Sequence, residues 1–507
     1  MRMLPLQGSL LLLGLFSQSL YAAALDRSGQ SISGFLQPNN YIDIGTSYVD
    51  ADVTGKVRNG WNVPLSDGNK VGSDLAGTGL SNVAQDFFMS QFNLKLQLSE
   101  KFSFGLIYDQ PFGAKASYSA QDSNHTQAPK YIAGIDLPVL SKPVTNLAQK
   151  ITGSYDDLKN FGAFHNGDEA TTAKVATKNA TMLFGFQPTE NWNFYAGPVY
   201  QTVKGSVQLR GSVYGPLGGV LCSDNNRNLL GVVDLNINAC SGFNDKDTKA
   251  PYKGYNADIP EKGAFGWIAG LAYQIPEIAL RASLTYRSEI DYDVQVRESM
   301  PEVADSNAKL IGGMIKDGIV EKVPAFGKDY KYAEGKTSVT TPQSVNLDIQ
   351  SGIMKDTLAF LNLRWVDWSN FAIRPYQFGQ LSAALTESQG RGTRGFDLVA
   401  YDEDQYSVTF GVARKFNEKI ALTILGGYDT GAGDPVSTLG PTHGYWSAGF
   451  GGQYSFTPST FVQAGARYFW FGDAKAQSAS WFGTERYDAD FTNNDGIGMS
   501  VKLAHRF

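Results

Sequence analysis

Few side chains in this sequence could carry covalent or metal chemistry. A hydrolase would need one of the four histidines (His125, His165, His443 and His505) beside a nucleophilic serine and an orienting group. No Gly-x-Ser-x-Gly turn occurs. The only two cysteines, Cys222 and Cys240, lie in a stretch rich in Gly and Asn, which suits a disulfide in an exported, oxidising setting. A shared metal is the alternative, but no histidine falls between them, and no cofactor is expected. Other residues invite a functional reading. Arg210, Arg391 and Arg394 could meet a carboxylate, and Asp109-Gln110-Pro111-Phe112-Gly113 places a residue without an N–H where a strand is expected.

Strands must hold these residues. From Ile278 to Arg297 one parity reads Leu280, Ala282, Leu284, Tyr286, Ile290, Tyr292, Val294 and Val296, and the other carries Arg281, Thr285, Arg287, Glu289, Asp291 and Asp293. As one strand, at about 3.3 Å per residue, that stretch exceeds 60 Å, far more than a soluble sandwich uses. Phe88, Phe92, Leu94 and Leu96 oppose Gln91, Asn93, Lys95 and Gln97, and Val462, Ala464, Ala466, Tyr468 and Trp470 oppose Gln463 and Arg467. A barrel wall with lipid outside and a polar lumen needs this pattern. A protein core under a solvated face would give the same parity, so strand length and turn asymmetry decide.

Tight turns fall at Ser99-Glu100-Lys101, Pro188-Thr189-Glu190-Asn191, Ile275-Pro276-Glu277, Lys355-Asp356, Asn417-Glu418-Lys419 and Thr457-Pro458-Ser459, and every second connection between them is long. Short turns on one side and long loops on the other mark an outer-membrane barrel. Six hairpins plus a first strand near 41–54 and a last near 493–507 predict an all-β, 14-stranded antiparallel transmembrane barrel with long extracellular loops over residues 41–507. The last strand alternates Met499, Val501, Leu503, His505 and Phe507, and a terminal Phe resembles the signal read by outer-membrane assembly machinery. Residues 1–24, with Arg2, the run Leu10 to Phe16 and Ala22-Ala23-Ala24, read as a signal peptide cut after Ala24. The apolar run is too short for a spanning anchor, for which about 20 residues are needed. Residues 25–40 lie between the signal peptide and the first strand.

Two long loops are greasy. That from about 209 to 262 carries Leu217, Val220, Leu221, Leu229 and Leu230, and that from 298 to 337 carries Leu310, Ile311, Met314, Ile315 and Phe326, partly at helical spacing. They can pack as a lid, dock a hydrophobic ligand, or do both. Pro111 either breaks pairing with a neighbour, opening the wall at Gln110, Pro111, Phe112 and Gly113, or marks the upper end of its strand. A formal charge of −6 from 43 Lys+Arg and 49 Asp+Glu argues against nucleic acid, which needs a concentrated basic patch.

Phe104-Gly105 with Pro111-Phe112-Gly113, Trp192-Asn193-Phe194, Gly266-Trp267, Leu284 to Glu289, Trp365-Val366-Asp367-Trp368-Ser369-Asn370-Phe371, Tyr428-Asp429 and Trp446-Ser447 follow one another in an order that resembles the FadL-type outer-membrane transporters of long-chain fatty acids and other hydrophobic compounds. The resemblance runs from residue 41 to 507. It implies a fourteen-stranded barrel, an N-terminal plug, capture in a groove between the third and fourth extracellular loops, and lateral exit through a kinked third strand. The resemblance thus makes residues 25–40 a short N-terminal luminal, plug-like segment; family plugs are several times longer and carry Asn-Pro-Ala, whereas this chain has Ser28-Gly29-Gln30-Ser31 and Gln37-Pro38-Asn39.

The leading expectation is a passive, monomeric channel in the bacterial outer membrane for hydrophobic small molecules, fatty acids or aromatic hydrocarbons. A lipase-like barrel enzyme and a polar-solute porin are the alternatives. Fatty-acid release from phospholipid would mark the first, and a large steady conductance the second.

Overall fold

The computed structural model describes residues 25–61, 63–64, 70–71, 76–118, 171–209, 255–299, 333–376, 378–379, 382–383, 394–478 and 487–507. Seventeen strand segments form one sheet. Three of them continue a strand after an interruption, so the sheet has fourteen strands. These are β1 (Tyr41–Asp52), β2 (Phe87–Gln97), β3 (Phe102–Asp109, resuming as Gly113–Ser117), β4 (Thr172–Phe186), β5 (Trp192–Leu209), β6 (Tyr255–Ile275) and β7 (Leu280–Arg287, resuming as Ile290–Ser299). They continue with β8 (Ala333–Thr341, resuming as Ser344–Met354), β9 (Thr357–Val366), β10 (Gln405–Lys415), β11 (Ile420–Asp429), β12 (His443–Ser455), β13 (Thr460–Gly472) and β14 (Asp495–Arg506).

The first strand pairs antiparallel with β2 on one side, Tyr41 opposite Lys95, and with β14 on the other, Tyr41 opposite Arg506. That closes the barrel. No edge is left to meet lipid with bare N–H and C=O groups. Both ends of the strand series lie on the short-turn side, where the Phe507 N–H donates to Asn40 O.

The predicted alternation appears as a wall with two environments. Leu422 and Ile424 of β11 are exposed outward, while Ala421, Thr423 and Leu425 are buried. Aromatic pairs mark the membrane boundaries: Tyr48–Phe88, Tyr200–Phe265, Trp267–Tyr286 and Tyr428–Trp446 near the long-loop side, and Trp192–Tyr273 and Phe102–Phe186 near the short turns.

The stretch Ile278–Arg297 differs from the single strand with one apolar face that its parity predicts. It breaks at Ser288-Glu289 and changes face there. Below the break Arg281, Ser283, Thr285 and Arg287 are buried; above it Ile290, Tyr292, Val294 and Val296 are buried while Asp291, Asp293, Gln295 and Arg297 are exposed. The cause is a change of solvent. Next to lipid the apolar parity must face out, but above the aromatic pairs the outside is water, so the apolar parity turns inward. It joins Val199, Val203, Ile259 and Ile268 in a luminal core, on which Phe378, Phe396 and Leu398 pack from the segment between β9 and β10.

Candidate functional site

The site is assembled where β3 is interrupted. Register with β2 runs from Gln97 opposite Ser103 to Phe92 opposite Tyr108, and the pairing stops there. On the other side β3 keeps its neighbour. Asp109 faces Asn179 of β4 and pairing resumes at Gly113 opposite Ala176, so three residues, Gln110 to Phe112, span the rungs of two. This bulge moves the upper half of β3 away from β2. Its free side turns to other partners: the Gln85 N–H donates to Lys115 O and the Ser117 N–H to Val83 O.

Residues 25 to 30 lie across the break. The Arg27 N–H donates to Pro111 O at 2.6 Å and the Gly113 N–H to Leu25 O at 2.8 Å, an antiparallel bridge that centres on Asp26 and Phe112. Proline offers no N–H, so its carbonyl is the group left for a neighbour to use. The segment thus fills rungs that β2 leaves unmade.

Side chains fix this short strand from inside the lumen. Arg364 of β9 donates from Nε to Asp26 Oδ2 at 2.6 Å, from Nη1 to Asn346 Oδ1 at 2.8 Å and from Nη2 to Gln30 Oε1 at 3.0 Å. Both partners of the ion pair are almost wholly buried, with side chains 2% and 1% exposed. Ser28 Oγ donates to Asp109 Oδ2, whose other oxygen accepts from Asn179 Nδ2. Asn346 Nδ2 donates to Gly29 O, and Ser344 Oγ to Gln30 Oε1. Lower down, Lys95 Nζ donates to Gln37 O and Arg281 Nη1 to Leu36 O. Phe35 lies on Tyr195 at 5.8 Å, where Gly105 and Gly185 leave room, because a Cβ on either would come within 2.4 and 2.8 Å of its ring.

Above the ion pair is a packed apolar cluster formed by Leu25, Phe112, Val339, Val366, Trp368, Phe371, Ile373, Tyr401 and Ala432. Phe112 meets Trp368 edge to face at 5.5 Å, and Trp368 Nε1 donates to Gln405 Oε1. The Pro111-Phe112-Gly113 and Trp365-to-Phe371 motifs, far apart in the chain, therefore touch. Burial pushes the Tyr401 phenol well above its ordinary range, so the cluster carries no charge from that group.

At the break itself the Arg27 guanidinium lies 3.7 Å over the Phe87 ring. A Cβ on Gly113 would come within 2.8 Å of the same guanidinium, so the glycine makes room for it. Arg27, Phe87, Gly113, Ala114 and Lys115 border a cavity of about 60 Å³ together with Val53, Val83 and Leu439. The wall has a narrow defect here, with a cation in it.

Of the residues singled out from sequence, Gln110, Pro111, Phe112 and Gly113 sit at this defect, with Phe112 packed in the apolar cluster and 3% exposed. Arg394 is exposed, and its carbonyl accepts from Arg374 Nη1. Arg210, Arg391, Leu217, Val220, Leu221, Leu229, Leu230, Leu310, Ile311, Met314, Ile315, Phe326, Cys222 and Cys240 lie outside the described residues, as do residues 1–24. Asp26, Arg27 and Arg364 were missed. Their partners are up to 338 positions away, and only the charged pair Asp26-Arg27 ahead of the first strand hints at a charged element inside the barrel. Among the described residues no group of three His, Cys, Asp or Glu side chains could hold a metal.

A closed fourteen-stranded barrel with an interrupted third strand and an inner segment across the interruption defines a class of outer-membrane transport proteins. A family model described as outer membrane protein transport protein (OMPP1/FadL/TodX) matches residues 148–507, and the chain belongs to that family. Among solved structures it is similar to a FadL homologue of Pseudomonas aeruginosa, at 13% identity and a TM-score of 0.59 over 94% of this chain and 92% of that one. It is also similar to the P. putida toluene transporter TodX (12%, 0.47, 94% and 91%) and the Ralstonia pickettii toluene transporter TbuX (11%, 0.45, 97% of each). No curated protein matches the chain.

Proposed function

We propose that this protein carries long-chain fatty acids through the outer membrane and releases them sideways into the bilayer at the break in β3. It rests on membership of a family that moves hydrophobic compounds across the outer membrane. The observation that carries the route is the loss of β2–β3 pairing above Phe92 and Tyr108, beside the apolar cluster that includes Phe112. A chain that leaves there passes from the luminal core to lipid without crossing water, and each methylene kept dry is worth about 0.8 kcal/mol.

The short segment 25–40 acts as the stop. Its hydrogen bonds replace those of β2, so the route is shut until it moves. The cation of Arg27 at the defect supplies a partner for a carboxylate head group, and this favours fatty acids over uncharged hydrocarbons. The apolar residues of the loops 209–262 and 298–337 would make the first capture at the cell surface, with Arg210, Arg391 and Arg394 as further candidates for the head group. We take residues 1–24 as an export signal and the barrel, closed within one chain, as a monomer.

Uptake of a labelled long-chain fatty acid and of a labelled alkylbenzene, in cells with and without the protein, tests the reading. A protein-dependent gain for the fatty acid that exceeds the gain for the alkylbenzene is expected. Dependence only for the alkylbenzene would reject the fatty-acid assignment.

A further inference from the structure

The outer surface of the barrel is unevenly charged above its aromatic boundary. Around most of the rim acids and cations mix: Asp50 of β1, Asp86 before β2, and Asp291 and Asp293 of β7 are exposed, as are Arg297 of β7 and Lys336 of β8. On β3 to β5 the exposed charges are lysines. Lys115 lies directly opposite Lys174 in the β3–β4 register, and both are exposed. Lys178 faces Thr202, and Lys204 faces Ala176, so Lys204 is diagonal to both Lys174 and Lys178. Such cross-strand and diagonal neighbours are about 5 and 7 to 8 Å apart, and like charges so placed repel.

Two acids border the group. Exposed Asp258 of β6 faces Ser206, which is itself opposite Lys174, and Glu261, in the field of Lys204, accepts from Lys178 Nζ at 3.2 Å and from Thr202 Oγ1 at 3.0 Å. Among the described residues no carboxylate comes within 4 Å of the Lys115, Lys174 or Lys204 ammonium as an ion pair. The height of the patch is set by the Tyr200–Phe265 pair. Lys204 is four residues above Tyr200, and Lys174, opposite Ser206, is level with the sixth, which puts their backbones about 10 and 15 Å above the ring on strands tilted by roughly 40°. Side chains of this length reach from there to the head groups of outer-leaflet lipid.

We propose that Lys115, Lys174 and Lys204 form a binding site on the outside of the wall for the phosphate groups of the phosphorylated lipid in the outer leaflet. A phosphate seated among three ammonium groups relieves their repulsion and forms charge-assisted hydrogen bonds. The patch faces sideways along the membrane surface, directly above the aromatic pair, where a lipid head group is the anion at hand. Its end at Lys115 borders the defect in β3, so the bound lipid stands beside the gap.

The test uses the purified full-length protein in detergent micelles doped with bisphosphorylated lipid A or its dephosphorylated form, with retained lipid counted by native mass spectrometry. Each lysine at a charged lipid surface is worth roughly fivefold in affinity, so Lys115→Gln/Lys174→Gln/Lys204→Gln should retain the phosphorylated lipid about a hundredfold less well. Lys419→Gln, exposed in a short turn on the opposite side of the membrane, should bind as the parent does. Retention of the dephosphorylated lipid by the parent should match that of the triple variant, and inorganic phosphate at the same concentration should not displace the lipid. If the triple variant does not fold, Lys204→Gln alone should show the loss of about fivefold. Equal retention of both lipids, unchanged retention in the variants, or displacement by inorganic phosphate would each overturn the site.

Discussion

Asp26→Ala should release the N-terminal segment from the break while leaving the barrel intact. In the parent, Arg364 is held by Asp26, Asn346 and Gln30, with its side chain 2% exposed. Loss of the carboxylate leaves a buried cation with two neutral acceptors. Breaking a buried pair from one side costs about 3 to 5 kcal/mol, and the remaining acceptors place this case near 3 kcal/mol. At about 1.4 kcal/mol per factor of ten, the undocked population should rise about a hundredfold. The assay is hydrogen exchange of the Arg27 and Gly113 amides, which report docking because they bond to Pro111 O and Leu25 O. Both should exchange about a hundredfold faster than in the parent, while amides of β11 keep their rates. Asp26→Ala/Arg364→Met removes the stranded charge and should recover most of the protection. Unchanged exchange at Arg27 and Gly113 in Asp26→Ala would refute the idea that this ion pair latches the segment.

Three further outcomes follow from the same geometry. Phe112→Ala empties the space against Trp368 and should destabilise the protein by about 3 to 5 kcal/mol, read as a lower midpoint for heat-induced loss of the fast-migrating folded band; an unchanged midpoint would mean the ring is not packed as described. Arg27→Gln removes the cation at the defect and should lower the ratio of fatty-acid to alkane uptake about tenfold or more, in keeping with about 1.5 to 3 kcal/mol for a hydrogen bond to a charged group; an unchanged ratio would take Arg27 out of head-group recognition. Cys222 and Cys240 should resist alkylation in denatured, unreduced protein and react after reduction; labelling of both thiols without reductant would show them free.

The strand series was legible because the lipid leaves one parity no choice. Leu422, Ile424, Met499 and Val501 face it as the alternation predicts. The same rule misread Ile290 to Val296, because it assumed one solvent along the whole length of β7, and the strand leaves the membrane at Ser288-Glu289. Pro111 was legible as a break from its missing N–H, yet what occupies the break was not. Asp26, Arg27 and Arg364 act through partners brought together by barrel closure, and no local spacing encodes a contact between residues 338 apart. The loop read as 209–262 ends earlier than its composition suggests, because Tyr255, Ala257 and Ile259 already line the lumen at the start of β6.

Passage through the wall is most directly tested by joining β2 to β3 across the gap. Continuing the β2–β3 register two residues past Phe92 and Tyr108 puts Ser90 opposite Gln110. Ser90→Cys/Gln110→Cys can be joined in whole cells by a short bifunctional thiol reagent, with the parent protein treated in parallel to account for its own cysteines. Uptake of labelled long-chain fatty acid should fall to the level of cells lacking the protein once the pair is joined, and binding of a fluorescent fatty acid to the purified cross-linked protein should stay unchanged. Full uptake by the cross-linked protein would contradict lateral release and send the substrate out through the periplasmic end of the barrel.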